Sequence, residues 1–408
     1  MATNAGVATF PAYVASGARS AVNPVVRAAF YLFVLSIPFE MPNRIFPVEI
    51  PTITGGFFLL ATILSPTASY RRIPGSVFWF FAYLWMFGLS TLVNTTIYTT
   101  LVLQLFLLML QLVLIFWVAS NLLRDRTVLR GVLITLAFAV AVRAALQVAG
   151  IGATVRAVWT GGDRITAFGQ NANLSAIIMS VGALILLNLR PKILTWPIVP
   201  IIGLAIIQTG SRGGLMCLVL GLLVWAIGSG RTMAARLRGV VAGFFVLAVL
   251  AIGVWRSDML RTRLLASAEQ GSFAGRELIY PAVISMISER PVLGWGPIGN
   301  QFEIGARIGE EKKDRRDAHN LVLDLMSSTG ILGTIPFLIG YVLCWRSAWR
   351  ARRGLLGILP LSIMAVTFMG SMSGTWIAGK ILWLTLSIAV ATGATAPPPR
   401  QNFKEATL

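Results

Sequence analysis

Acidic residues are scarce in this chain: 15 Asp and Glu stand against 34 Lys and Arg in 408 residues, and His319 is the single histidine. Charged residues make up only 12% of the sequence, far below the share of about a quarter in soluble domains, which excludes an ordinary soluble protein. There are two cysteines, Cys217 inside one apolar run and Cys344 near the end of another, so neither a disulfide framework nor a Cys-based metal site is expected. The long connections contain no Asp-x-Asp, and there is no His-Glu-x-x-His and no carboxylate cluster with metal-ligand spacing. A metal-independent chemistry without cofactors is therefore expected. The absence of a Walker motif argues against an ATP-driven pump acting by itself. The first 20 residues are small and polar and lack the apolar core and cleavage site of a signal peptide, so the first helix itself should insert. No internal repeat or low-complexity tract stands out.

What fills the chain instead is apolar. Hydrophobic residues make up 56% of it and the mean hydropathy is +0.78. Runs of spanning length fall at about 25–39, 51–67, 75–94, 97–123, 131–151, 173–189, 193–209, 213–229, 239–255, 319–345, 355–373 and 375–394. The expected fold is an all-α polytopic membrane protein of about twelve transmembrane helices. A formal charge of +19 would fit nucleic acid if the cations formed one surface, but they fall in short connections between apolar runs. Alternate connections, with the termini, hold 18 basic residues against two acids, Asp125 and Glu405. By the positive-inside rule that side is cytoplasmic, and both termini with it. The expected organisation is a cytoplasmic segment 1–24, nine spans within 25–255, an outer loop domain 256–318, three spans within 319–394 and a cytoplasmic tail 395–408.

The outer side holds the two long connections, about 152–172 and 256–318, whereas the inner ones are short tethers. Between Arg256 and Asp317 there are ten basic and nine acidic residues, which predicts a folded, charge-paired cap. Within it, Leu278, Ile279, Val283, Met286 and Ile287 recur at helical spacing, predicting an interfacial helix from Arg276 to Arg290 that Pro291 ends. Gly294, Gly296, Pro297 and Gly299 then predict a turn. Asp317 is a good N-cap for the helix that follows, so His319 is expected in its first turn, where the helix field disfavours imidazolium and leaves a neutral base. The competing reading is a histidine that only caps or packs.

Five cations are expected on the outer side or just within the membrane: Arg143, Arg164, Arg212, Arg276 and Lys380. Charge there is costly, so each calls for a partner or a task. Arg212, in the tight turn Thr209-Gly-Ser-Arg-Gly-Gly, either faces an outer cavity or snorkels to headgroups. Arg164 and Arg276 have Asp163 and Glu277 as possible partners, and Arg143 and Lys380 either anchor at the interface or pair with a carboxylate such as Asp324. Guanidinium groups hold phosphate oxygens in pairs, so a diphosphate is the natural guest. If it carries a lipid tail and a sugar, transfer needs only a base for the acceptor hydroxyl and cations for the departing charge. A flippase is the reading from a different class; it would spread charge through the spans, whereas here the polar groups gather on one side.

At these residues the chain resembles the O-antigen ligase and polymerase superfamily. The resemblance rests on Arg164 through Asn173, on Ser211-Arg212-Gly213, on Arg276, Tyr280 and Pro291-Val-Leu-Gly-Trp-Gly, and on His319-Asn320 followed by Gly330-Ile-Leu-Gly333. The family more often has Trp where Tyr280 stands. The resemblance implies a metal-independent GT-C glycosyltransferase of the Gram-negative inner membrane, with its active site at the periplasmic face. It implies an undecaprenyl diphosphate-linked O-antigen as donor and, for a ligase, lipid A-core as acceptor. Polymerases pass the glycan to another lipid-linked repeat, and protein O-oligosaccharyltransferases to Ser or Thr. Together with the reading of the residues themselves, the expected roles are His319 as base, Arg143, Arg164, Arg212 and Arg276 as diphosphate ligands, and Asn173, Tyr280, Asn320 and Lys380 as their support.

Overall fold

A computed structural model describes residues 22–40, 49–94, 98–157, 163–189, 191–228, 233–257, 260–262, 265, 276–309 and 315–398. The N-terminal segment to residue 21, the tail from residue 399 and parts of the 256–318 connection lie outside the described residues.

Good caps and long apolar runs give helices almost throughout. The first six are α1 (Pro24–Ser36), α2 (Ile50–Ala61), the short α3 (Pro66–Ser69), α4 (Gly75–Val93), α5 (Thr99–Leu122) and α6 (Arg126–Val148). After a hairpin of β1 (Ala153–Ala157) and β2 (Asp163–Ala167) come α7 (Ala172–Asn188), α8 (Lys192–Thr195), α9 (Ile198–Gln208), α10 (Arg212–Gly228) and α11 (Met233–Arg256). The chain ends with α12 (Arg276–Glu289), α13 (Gly299–Arg307), α14 (Leu321–Ala351), α15 (Leu359–Ser371) and α16 (Lys380–Ala394). Starts are set by side chains: Asn23, Asp125 and Asn171 each accept backbone N–H bonds from the first turns of α1, α6 and α7. The hairpin, with Ala153 opposite Ala167 and Val155 opposite Ile165, departs from the all-α expectation. Thr154, Val155, Ile165 and Thr166 are β-branched, and the extended chain lets them pair across the loop.

Among the described residues four helices, α4, α5, α6 and α14, are long and apolar enough to cross a membrane, and shorter apolar helices accompany them. The chain is a helical membrane protein. Phe30, Phe33 and Phe58 stack between α1 and α2, and Phe80, Phe116, Phe337 and Trp383 lock α4, α5, α14 and α16 edge to face.

The apolar run expected as one uninterrupted helix from residue 319 is broken. At Gly330 the backbone swings to φ 63 and ψ −166, a region open only to glycine. The turn after α12 fills the break: Ile331 N donates to Pro291 O at 2.9 Å, Leu332 N to Val292 O at 3.3 Å and Trp295 N to Ser327 O at 2.8 Å. From α4, the Ser90 hydroxyl reaches Leu293 O and Ser328 O. The break is thus satisfied by protein rather than by lipid, as membrane burial demands.

Candidate functional site

His319 stands just before α14 rather than in its first turn. Asn320 is the N-cap, its Oδ1 accepting from Val322 N at 3.0 Å and Leu323 N at 3.2 Å, and Asp317 lies too early in the chain to do so. Asp317 instead closes an Asx turn: Oδ1 accepts from His319 N at 3.1 Å, and Oδ2 accepts from Thr375 N at 3.3 Å in the connection between α15 and α16. The turn holds His319 at φ 52, a left-handed conformation that costs roughly 1–2 kcal/mol for a residue with a Cβ. The imidazole Nδ1 lies 4.0 Å from Asp317 Oδ2. Burial holds its pKa below the usual histidine range; Asp317 opposes this, while Arg276 and Arg316 add to it. The lowered pKa thus comes from burial and neighbouring cations rather than from a place in the first turn of a helix.

The Arg276 guanidinium donates from Nη2 to Ser373 O at 2.7 Å, in the same α15–α16 connection that receives Asp317. The start of α10 packs there too: a Cβ on Gly213 would stand 2.9 Å from Ser373 Oγ. This brings Arg212 close enough for the charge of Arg276 to act on it, with Glu277 acting in the opposite sense. Arg212, Arg276, Asp317 and His319, far apart in sequence, thus converge around residues 373–375.

Arg164 is built into the adjoining wall. Its Nε donates to Thr209 O at 2.8 Å and its Nη2 to Asn173 Oδ1 at 3.0 Å, while Ser211 Oγ donates to the same Asn173 oxygen at 2.7 Å. Asn173 thus joins the β2 arginine to the turn that carries Arg212. Arg143, in α6, is fully buried and donates to Ser175 Oγ at 2.6 Å, and neither its Nε nor its Nη1 meets a hydrogen-bond partner among the described residues. Tyr280 packs in the small apolar cluster of α12 and α13 that also contains Ala318, beside His319.

Lys380 is 2% exposed and pairs with Glu40 at 3.0 Å and with Glu49, not with Asp324. Burial pushes the Glu40 carboxyl up to about 7, against Lys380 and with the help of Glu49. The α1–α2 connection brings both glutamates to the start of α16, whereas Asp324 is held by Asn300 Nδ2 at 3.1 Å. The Ser373–Thr375 segment contributes through backbone atoms, which leave no mark in a sequence.

These features define a helical membrane protein with a cationic, histidine-bearing site gathered where several helices end. Residues 197–338 match the family model described as O-antigen ligase, which supports membership of the O-antigen ligase and polymerase superfamily. The family points to O-antigen ligase or polymerase-type glycosyltransferase activity. The matched segment contains Arg212, Arg276 and His319 and leaves Arg143, Arg164 and Lys380 outside. No curated protein matches the chain.

Proposed function

We propose that the protein is an O-antigen ligase that moves a glycan from undecaprenyl diphosphate to lipid A-core at the periplasmic face of the Gram-negative inner membrane. The observation that carries this reading is the meeting of Arg212 and Arg276 beside a histidine whose protonation is disfavoured. His319 takes the proton of the acceptor hydroxyl as that oxygen attacks the anomeric carbon. The bond from the anomeric carbon to the phosphate oxygen breaks, and the lipid diphosphate leaves with its charge held by Arg212 and Arg276. Arg164, through Asn173 and Thr209, fixes the turn on which Arg212 stands; Arg143 supplies a further buried cation. No step needs a metal ion. In this reading the shorter apolar helices and α11 cross the membrane with the four long ones, giving about twelve spans in a GT-C arrangement.

The envelope glycan of a deletion strain tests this reading. Intact polymer stranded on lipid diphosphate is the expected result. A single repeat attached to lipid A-core would identify a polymerase instead.

A further inference from the structure

At the opposite ends of α2, α4, α5 and α6, the structure builds a second cationic site. Asn121, 6% exposed near the end of α5, grips the backbone of Arg72 on both sides: Arg72 N donates to Asn121 Oδ1 at 3.1 Å, and Asn121 Nδ2 donates to Arg72 O at 2.8 Å. Trp117 Nε1 donates to the same Arg72 oxygen at 2.8 Å. Tyr70 packs edge-on against Trp117 at 5.4 Å and shares a 2.8 Å hydrogen bond with Thr62 Oγ1. Helix α5 and the end of α2 therefore hold the Tyr70–Arg72 turn from two sides.

The turn presents Arg71 and Arg72 to Arg124, whose Nε is buried and has no hydrogen-bond partner among the described residues. Burial, then the charges of Arg72 and Arg71, hold the Arg124 pKa below its ordinary value. Asp125, next in sequence, directs its Oδ1 to the N-cap of α6, accepting from Thr127 N at 2.8 Å and Val128 N at 3.2 Å. Arg71 and Arg72 are exposed and Arg124 is half-buried, so an anion arriving from the water side can meet all three and relieve the repulsion felt by Arg124. Beside the turn, Ile63, Leu64 and Ile73 are 70%, 56% and 66% exposed, an apolar surface suited to acyl chains.

We infer that Arg71, Arg72 and Arg124 form a binding site for the phosphate of an anionic phospholipid headgroup, with Tyr70 and Trp117 at the interface and the acyl chains along the exposed end of α2. A phosphodiester offers the oxygens that guanidinium forks hold in pairs. The site is separate from the glycan-transfer site and does not depend on the assignment of that activity.

The test is native mass spectrometry of the purified full-length protein with added phosphatidylglycerol, and with phosphatidylcholine of the same acyl chains as the neutral control. The triple variant Arg71→Gln/Arg72→Gln/Arg124→Gln should lose phosphatidylglycerol occupancy by at least about tenfold, with phosphatidylcholine unchanged. Removing equal charge in Arg346→Gln/Arg350→Gln/Arg353→Gln should leave occupancy near wild type. Equal losses in the two variants, or none in the first, would overturn the site. Inorganic phosphate in millimolar excess should fail to displace the lipid; displacement would make this a free-phosphate site. If the triple variant does not fold, the single Arg71→Gln and Arg124→Gln proteins should each lose occupancy severalfold, and wild-type occupancy in both would sink the proposal.

Discussion

The left-handed backbone at His319 is a cost that packing alone does not require, since glycine would adopt it without strain. His319→Gly should therefore fold at least as stably as wild type in thermal unfolding while losing transfer. His319→Ala should slow transfer by something like 10² to 10⁴-fold with donor binding nearly intact, the usual range for a positioned base. In a reconstituted assay, His319→Gln turning over at near wild-type rate would leave the histidine a positioning group. The pH dependence has a definite sign. Because the folded pKa is lowered, His319 stays neutral, and the rate holds, until pH falls below the ordinary value near 6.5. The folded state also binds fewer protons than the unfolded one, so its contribution to stability declines as pH drops below that value. Arg316 helps to depress the pKa, so Arg316→Gln should move the acid limb of kcat/KM to higher pH. An unmoved limb would show that another group titrates. For Arg212 and Arg276, replacement by Lys keeps charge but not the planar fork, so transfer should fall in each at unchanged protein level. Wild-type rates in both would reduce them to structural residues.

Helix α14 is two helices joined at Gly330, and the 291–296 turn completes them both. A Cβ at Gly330 would overlap the Val292 carbonyl, and one at Gly294 would come within 2.7 Å of Ser327 O with φ at +66. Gly330→Ala and Gly294→Ala should each destabilise the protein by roughly 2–4 kcal/mol, the sum of left-handed strain and overpacking. The measurement is thermal unfolding in detergent; a melting temperature at the wild-type value would mean that the turn does not sit in the break. The 276–309 segment is also clasped to itself. Arg307 meets both Glu289 oxygens at 2.6 Å and Glu303 at 2.8 Å, with Trp295 between Arg290 and Arg307. Its hydrogen bonds with Arg307 pull the Glu289 carboxyl down to about 2, so this clasp persists in mild acid. Helix α12, which carries Arg276, is thereby held at both ends, by Ser373 and by this network.

For the whole molecule, the charge bias of alternate connections predicts the orientation. In a protein lacking Cys217 and Cys344, Arg315→Cys should react with an impermeant thiol reagent from the periplasm and Arg353→Cys should not. Labelling of Arg353→Cys in intact spheroplasts would invert the topology and move the site to the other face. The membrane class and the helix near Arg276–Arg290 were legible in the chain, as were Arg212, Arg276 and His319 as residues that the candidate site brings together, because they depend on composition, periodicity and local chemistry. The cap was harder: Asp317 and Asn320 are both good candidates locally, and the α15–α16 connection decides between them by engaging Asp317 through Thr375. For Lys380 the chain left two readings open, an interfacial anchor or a carboxylate pair such as Asp324, because Glu40 and Glu49 lie more than 300 residues away, beyond any local signal. The break at Gly330 was hidden for a similar reason, since its hydrogen bonds return from residues 291–295 and a lone glycine in an apolar run carries no such signal. Sequence alone determined which side chains would need partners, because burying charge or free backbone in a membrane is costly whatever the fold. Which atoms meet those needs was decided only by the tertiary structure, since the partners come from connections that the packing of helices brings together.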